Sequence, residues 1–368
     1  IINLIPTFNT IFFESQPTFS DNTRCVFEEL VACGYNKKNK MIWQSNNMFE
    51  SFPKFKNVKF INLDTKFGRF LYRYYILTSK CLICCNDFLV PQKRKQFSIY
   101  LTHGTPIKSL RNYYNIPGKI NICISSSEEM KDLFSYEFKF DKSKLIATGL
   151  PRNDLLTNHK TDIKKILKTN CKNIIIWYPT YRQNMSDNKS FNKNALPIIH
   201  NVDFAIELNK CAKKNNILIV LKPHFAQNLS YVKDLNLSNI KFITDDFYVE
   251  NNISAYEFIG NCDALITDYS SIYFDYLICD KPIAAIWEDI EDYKATTGLI
   301  ENYEYYMSGA EKVYNLEDFI EFLDNLSNGI DKLSEERKKI NSIVNISNDG
   351  KNTQRVVDFI IEKANLKL

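Results

Sequence analysis

The chain has 368 residues, 45% of them hydrophobic and 24% charged, a globular composition sized for about two domains. A net charge of +4 is too small for the strongly basic face that nucleic acid requires, so no nucleic-acid partner is expected; an anionic substrate or a weakly attracting acidic lipid surface remains compatible. The ten glycines come no closer than Gly298 and Gly309, and none of His103, His159, His200 and His224 stands in HExxH spacing, so a dinucleotide loop, a P-loop, a GxSxG elbow and a zincin are all excluded.

Short, continuously apolar, β-branched runs alternate with amphipathic stretches along the whole chain. Strands are predicted at Thr10–Phe13, Lys40–Trp43, Lys59–Asn62, Cys81–Cys85, Ser98–Thr102, Ile120–Ser125 and Leu145–Thr148. A second series is predicted at Asn173–Tyr178, Ile217–Leu221, Ile240–Thr244, Ala264–Thr267 and Ile283–Trp287. Helical patterns fall at Thr23–Ala32, Ser126–Phe134, Asp203–Lys214, Tyr269–Cys279, Glu317–Asn325 and Thr353–Ala364. Unbroken apolarity within a strand means burial on both faces, hence parallel sheets covered by helices. The expected architecture is α/β, with two Rossmann-like domains facing each other across a cleft. The expected boundaries are 1–150 for the first domain and 151–345 for the second. A C-terminal helix at 346–368 is expected to pack back on one of them.

The ten cysteines lie in apolar strings such as Cys81-Leu82-Ile83-Cys84-Cys85, and no second CxxC follows, so inert, reduced core thiols are expected. No apolar run reaches the ~18 residues of a membrane span, and no signal-peptide pattern opens the chain. Without a starting Met, the sequence reads as a trimmed piece of a cytoplasmic protein.

In open parallel sheets, ligands bind beyond the carboxyl ends of the strands, so the polar residues that follow the apolar runs are the candidates. His103 follows one run, with Gly104 for a tight turn, Thr105 as a cap and Pro106 to open a helix that includes Lys108; His103 suits a general base. Lys222 and His224 hold the same place on the second sheet. Asp268, Ser270 and Ser271 precede a helix, and their hydroxyls with the free backbone N–H groups suit an anion; simple capping by Asp268 and Ser270 is the alternative. Arg182 follows Pro179-Thr180-Tyr181 and can offer two N–H donors to a phosphate, or lie solvated at the surface. His159 and His200 fall in polar stretches and are expected to be passive surface residues. With no Asp/Glu cluster expected at the strand ends, no metal cage and no required cofactor are expected; stimulation by a divalent cation stays open.

These residues carry a resemblance. His103-Gly104-Thr105-Pro106 with Lys108, Gly149-Leu150-Pro151-Arg152-Asn153-Asp154, Pro179-Thr180-Tyr181-Arg182, Lys222-Pro223-His224 and Thr267-Asp268-Tyr269-Ser270-Ser271 occur in order. With Phe13-Glu14-Ser15 and Asp21-Asn22, they resemble the CDP-glycerol glycerophosphotransferase family, the teichoic-acid and capsule polymerases and primases of bacteria. The resemblance implies a GT-B fold and transfer of glycerol phosphate, or a related polyol phosphate, from a CDP-activated donor to an acceptor hydroxyl, with release of CMP. It implies that His103 is the general base and that His224, Ser270 and Ser271 hold the donor's phosphates; Arg152, in the Gly149–Asp154 motif, is expected among the other residues of the cleft. It also implies a lipid-linked or polysaccharide acceptor at the inner face of the cell membrane. Thr297-Gly298 stands where the family pattern has Arg-Gly, and Glu301-Asn302 where it has an acidic residue. A CDP-ribitol or other nucleotide-activated polyol donor would keep the chemistry. The competing readings are a GT-B glycosyltransferase using a nucleotide sugar and a non-catalytic domain of a larger capsule synthase. For membrane attachment, the sequence offers Lys37, Lys38, Lys40, Lys54, Lys56 and Lys59 interleaved with Met41, Trp43, Phe49, Phe52 and Phe55.

Overall fold

The computed structural model describes residues 5–45, 54–157, 161–180, 196–223 and 229–368. The chain divides into two compact units: Ile1–Thr105 with Leu110–Asp154 and Val344–Leu368, and Pro106–Ser109 with Leu155–Ile343.

The first unit contains β1 (Phe8–Glu14), α1 (Asp21–Ala32), β2 (Lys40–Ser45), β3 (Val58–Asn62), α2 (Lys66–Thr78), β4 (Ser79–Cys84), β5 (Phe97–Tyr100), β6 (Ile122–Ser125), α3 (Lys131–Phe138) and β7 (Leu145–Ala147). Its seven strands run in the order β3-β2-β1-β4-β5-β6-β7, every pairing parallel. Ile11, Phe12 and Phe13 of β1 are all fully buried, as a strand covered on both faces requires. Successive side chains point to opposite faces. Phe12 therefore meets Tyr72 and Tyr75 of α2, at ring centroids 5.6 and 6.3 Å, while Phe13 meets Phe27 of α1 at 5.4 Å and stacks on Trp43 at 5.2 Å.

The second unit contains α4 (Ile163–Leu167), β8 (Asn173–Trp177), α5 (Val202–Lys214), β9 (Ile217–Leu221), α6 (Ser230–Lys233), β10 (Ile240–Phe242), α7 (Asp245–Glu250), α8 (Ala255–Asn261), β11 (Ala264–Thr267) and α9 (Ile272–Tyr276). It continues with β12 (Ile283–Ile286), α10 (Ile290–Thr296), α11 (Tyr303–Tyr306), β13 (Glu311–Val313), α12 (Leu316–Ser327) and α13 (Ser334–Val344). Its sheet order is β10-β9-β8-β11-β12-β13, again all parallel. Trp177 packs edge-on against Phe319 of α12 at 5.3 Å in its core.

The last helix, α14 (Asn352–Lys363), belongs to the first unit: Val356, Val357 and Ile360 are buried with Leu30 of α1 and Leu150. Its first N–H groups, Asn352 and Thr353, donate to the Asp154 carboxylate at 3.0 and 2.7 Å, which satisfies donors that a helix start leaves open. Gly149, at φ +74°, passes so close that an added Cβ would stand 2.1 Å from Asn352 Oδ1. The Gly149–Asp154 stretch is thus the clasp that ties the C-terminal helix down.

Two departures from the sequence expectation shape the loops beyond the first sheet. The helix after β6 starts at Lys131 rather than Ser126, because Ser125 Oγ donates to the Ser127 carbonyl and Ser127 Oγ accepts from Met130 N–H, which holds the serines in a turn. No helix follows Thr105. Pro106–Ser109 instead runs extended against 298–300: Ser109 N–H donates to the Gly298 carbonyl at 3.2 Å and Ile300 N–H to the Ile107 carbonyl at 3.0 Å. Proline lacks the N–H a strand needs but does not disturb a short extended edge run.

Candidate active site

In each sheet the strand order reverses once, between β1 and β4 in the first and between β8 and β11 in the second. Loops on either side of such a switch point diverge and leave a crevice beyond the carboxyl ends of the strands.

In the first unit, His103 lies three residues beyond the end of β5. Thr102 has φ 48° and Gly104 φ 129°, so the chain turns sharply on both sides of the histidine. A β-branched residue in the left-handed region is strained, by roughly 1–3 kcal/mol. The Asn22 side chain offsets that by donating to the carbonyls of Leu101 and Thr102 at 3.1 and 3.0 Å. The imidazole leaves the turn 60% exposed, with Nδ1 2.6 Å from Asp21 Oδ2. Arg152 closes the group from the far side, 2.9 Å from Asp21 Oδ1 and 3.1 Å from Oδ2. Burial by itself would raise the Asp21 carboxyl; the Arg152 charge and the His103 hydrogen bond outweigh it and hold Asp21 well below the usual carboxylate range. An ionised Asp21 accepts the Nδ1 proton, which leaves Nε2 with its lone pair free for a substrate proton. This is the geometry of a general base held by a carboxylate. Arg152, expected among the other residues of the cleft, is nearly buried and acts on Asp21.

Glu14 ends β1 at the switch point and is fully buried. Its Oε2 accepts from Cys85 N–H at 3.1 Å and Asn86 N–H at 3.0 Å. Burial pushes its carboxyl up to about 7, outweighing the pull of the backbone N–H groups of Asp87, Asn86 and Cys85. Asn86 in turn accepts from Gln16 N–H and brings its amide nitrogen to 3.4 Å from His103 Nδ1. Cys81 and Cys84 are buried and free, and burial pushes both thiols up.

In the second unit, the loops after β8 and β11 are pinned together. Asp268, nearly fully buried, accepts from Thr180 N–H at 2.8 Å, from Thr180 Oγ1 at 2.5 Å and from its neighbour Tyr269 N–H at 2.7 Å. Its carboxylate therefore orders the crevice loops. Ser270 and Ser271 lead into α9; Ser270 Oγ lies 3.5 Å from Ile272 N–H, and Ser271 makes no side-chain cap. Tyr269 fixes this start from below, donating to Asp289 Oδ1 at 2.8 Å and stacking on Tyr293 at 4.0 Å. Lys222, at the end of β9, pairs with Asp245 at 2.9 Å, and Lys108 lies over the Tyr293 ring at 5.9 Å. Thr105 is buried and Gly104 carries the positive φ expected of it. Arg182, His224 and His159 lie outside the described residues. His200 is half-buried rather than a surface bystander: its Nε2 meets Glu288 at 2.5 Å, and that hydrogen bond raises its pKa.

Sequence reasoning saw Asp21 and Glu14 only through family resemblance and missed Asn86, Asp289 and Glu288. All but Asp21 end or follow strands at the carboxyl edge, so the strand-end rule would have found them had acids been sought singly. The strand-end acids stand singly, each with its own partner. Among the described residues, no three His, Cys, Asp or Glu side chains converge on one point.

A family model described as CDP-glycerol:poly(glycerophosphate) glycerophosphotransferase matches residues 3–362. The teichoic acid poly(glycerol phosphate) polymerase of Bacillus spizizenii is 28% identical over 326 residues, 80% of this chain and 78% of that protein. The teichoic acid glycerol-phosphate primase of Bacillus subtilis is 25% identical, over 93% of this chain and 90% of its own length. The solved structure of the wall teichoic acid polymerase TagF superposes with a TM-score of 0.73 at 22% identity, over 97% of this chain and 89% of that one, and fixes the fold class as GT-B. The chain belongs to the CDP-glycerol:poly(glycerophosphate) glycerophosphotransferase family.

Proposed function

We propose that this protein transfers glycerol phosphate from CDP-glycerol to a hydroxyl at the end of a teichoic-acid-type polymer. The acceptor oxygen attacks the phosphorus that bears the glycerol, the bond from that phosphorus to the bridging oxygen breaks, and CMP leaves with the oxygen. The acceptor's proton passes to Nε2 of His103. The observation that carries this reading is the Asp21–His103 contact, which frees Nε2 on an exposed ring within a chain that belongs to this family.

In this reading the first unit is the acceptor-side domain and supplies the base. The second is the donor-binding domain: Ser270 and Ser271, with His224 and Arg182, hold the diphosphate. Asp268 acts by ordering their loop. Lys108 and the segment 297–300 beside it select the polyol, where Thr297 stands in place of the family's Arg. The acceptor is lipid-linked and met at the cytoplasmic face of the membrane, to which the protein attaches peripherally.

Incubation with CDP-glycerol and with CDP-ribitol, with CMP release followed in each, tests the proposal. CMP release dependent on an added acceptor is expected with CDP-glycerol. Release of a nucleoside diphosphate from a nucleotide sugar, with no CMP from either CDP-alcohol, would replace it with a glycosyltransferase.

A further inference from the structure

Residues 54–78 hold six basic side chains, Lys54, Lys56, Lys59, Lys66, Arg69 and Arg73, against one acid, Asp64. The structure makes a helix, α2, of their second half. Its inner face is used by the fold, where Tyr75 and Thr78 are buried and Tyr72 and Tyr75 cover Phe12. The outer face is not. Phe67, Phe70 and Tyr74, spaced three and four apart, form one stripe along the helix and are 66%, 63% and 42% exposed. Lys66, Arg69 and Arg73 flank the stripe and are exposed as well. Large aromatics on the outside of a helix whose inside already serves the core suit an apolar surface, and the flanking cations suit an anionic one.

A cavity of about 570 Å³ opens at the C-terminal end of this stripe, at the amino-terminal edge of the first sheet. Lys38, Lys40 and Lys59 line it with Asn57, Tyr74 and Tyr75, and among the described residues no carboxylate does. Lys40 Nζ lies 5.2 Å from the centre of the Tyr75 ring. Three like charges around one cavity repel one another, and a bound anion relieves that repulsion. Tyr74 belongs to both the stripe and the cavity lining, so anion site and apolar stripe form one continuous surface.

We propose that this surface docks on an anionic phospholipid bilayer, with a lipid phosphate in the Lys38/Lys40/Lys59 cavity and the Phe67–Phe70–Tyr74 stripe against the adjoining lipid. The surface expected from sequence is thereby moved: Met41 and Trp43 are fully buried in the core of the sheet, Phe55 packs partly buried against that core, and Phe49 and Phe52 lie outside the described residues. The inference deepens the proposed peripheral attachment and is independent of the transfer chemistry.

Co-sedimentation of the full chain with phosphatidylcholine vesicles, with and without phosphatidylglycerol, tests it. Binding is expected only to the anionic vesicles, and weaker at high salt. Replacing Lys38, Lys40 and Lys59 together by Ala should weaken it on the order of 100-fold, while the triple Arg variant should keep it within a few-fold. Phe67→Ser with Phe70→Ser should weaken it by at least 10-fold. All these variants should release CMP from CDP-glycerol with a water-soluble acceptor as the unaltered protein does, so that a failure of the transfer reading is seen separately. Equal sedimentation with neutral vesicles, or unaltered binding by the Ala and Ser variants, would overturn the proposal. So would calorimetric binding of inorganic phosphate at the three lysines without vesicle binding, which would assign the cavity to a free phosphate.

Discussion

Asp21 Oδ2 stands 2.6 Å from Nδ1 of His103, and this contact determines which imidazole nitrogen can take a proton. Asp21 is nearly buried and itself held by Arg152, whereas His103 is open to solvent. The rigid partner therefore orients the accessible one.

Replacing His103 by Ala should lower kcat by roughly 10²–10⁴-fold, the usual contribution of a positioned base. CDP-glycerol binding, measured by calorimetry, should persist, because in the proposed role His103 takes the acceptor's proton and does not hold the donor. Turnover within a few-fold of the unaltered enzyme would remove His103 from the mechanism.

Asp21→Asn should lower kcat nearly as far while leaving the donor KM within a few-fold. It also strands the buried Arg152 charge, at a stability cost of about 3 kcal/mol. Because the Asp21 pKa is lowered on folding, its contribution to stability is present above the ordinary carboxylate value of 3.8 and is lost as pH falls below it. The unaltered protein should thus lose stability on acidification more steeply than the Asn variant, as read by urea unfolding at a series of pH values.

Glu14 carries the opposite sign. Its pKa rises from 4.5 to about 7 on folding, so stability is fully present below 4.5 and declines as pH rises through 7. The shift corresponds to something on the order of 3 kcal/mol across that window. Glu14→Gln keeps an oxygen for the Cys85 and Asn86 N–H groups and cannot ionise. Its unfolding free energy should be flatter between pH 5 and 8, and a slope equal to that of the unaltered protein would show that Glu14 does not titrate there.

Ser270→Ala combined with Ser271→Ala should weaken CDP-glycerol and CMP together, since in the proposed site both ligands place a phosphate against these hydroxyls. A change confined to the acceptor KM would reassign this loop to the acceptor.

The parallel sheets were legible in the sequence because strands buried on both faces must be continuously apolar; Ile217–Leu221 and Ala264–Thr267 are found with the expected bounds. The edge strand Glu311–Val313 was not, because an edge needs less apolar cover and only Val313 of its three residues is apolar and buried. Nor was α2, whose last residue, Thr78, is followed directly by β4 at Ser79 with no intervening turn to mark the boundary. His103 and the serines before α9 were visible as polar residues following apolar runs. Their partners were not. Asp21 lies 82 residues from His103 and 131 from Arg152, and Thr180 lies 88 from Asp268. Parallel strands bring their carboxyl ends to one edge whatever their separation along the chain, so sequence nominates the residues at that edge, and only the strand order and the turns of the tertiary structure decide which of them touch.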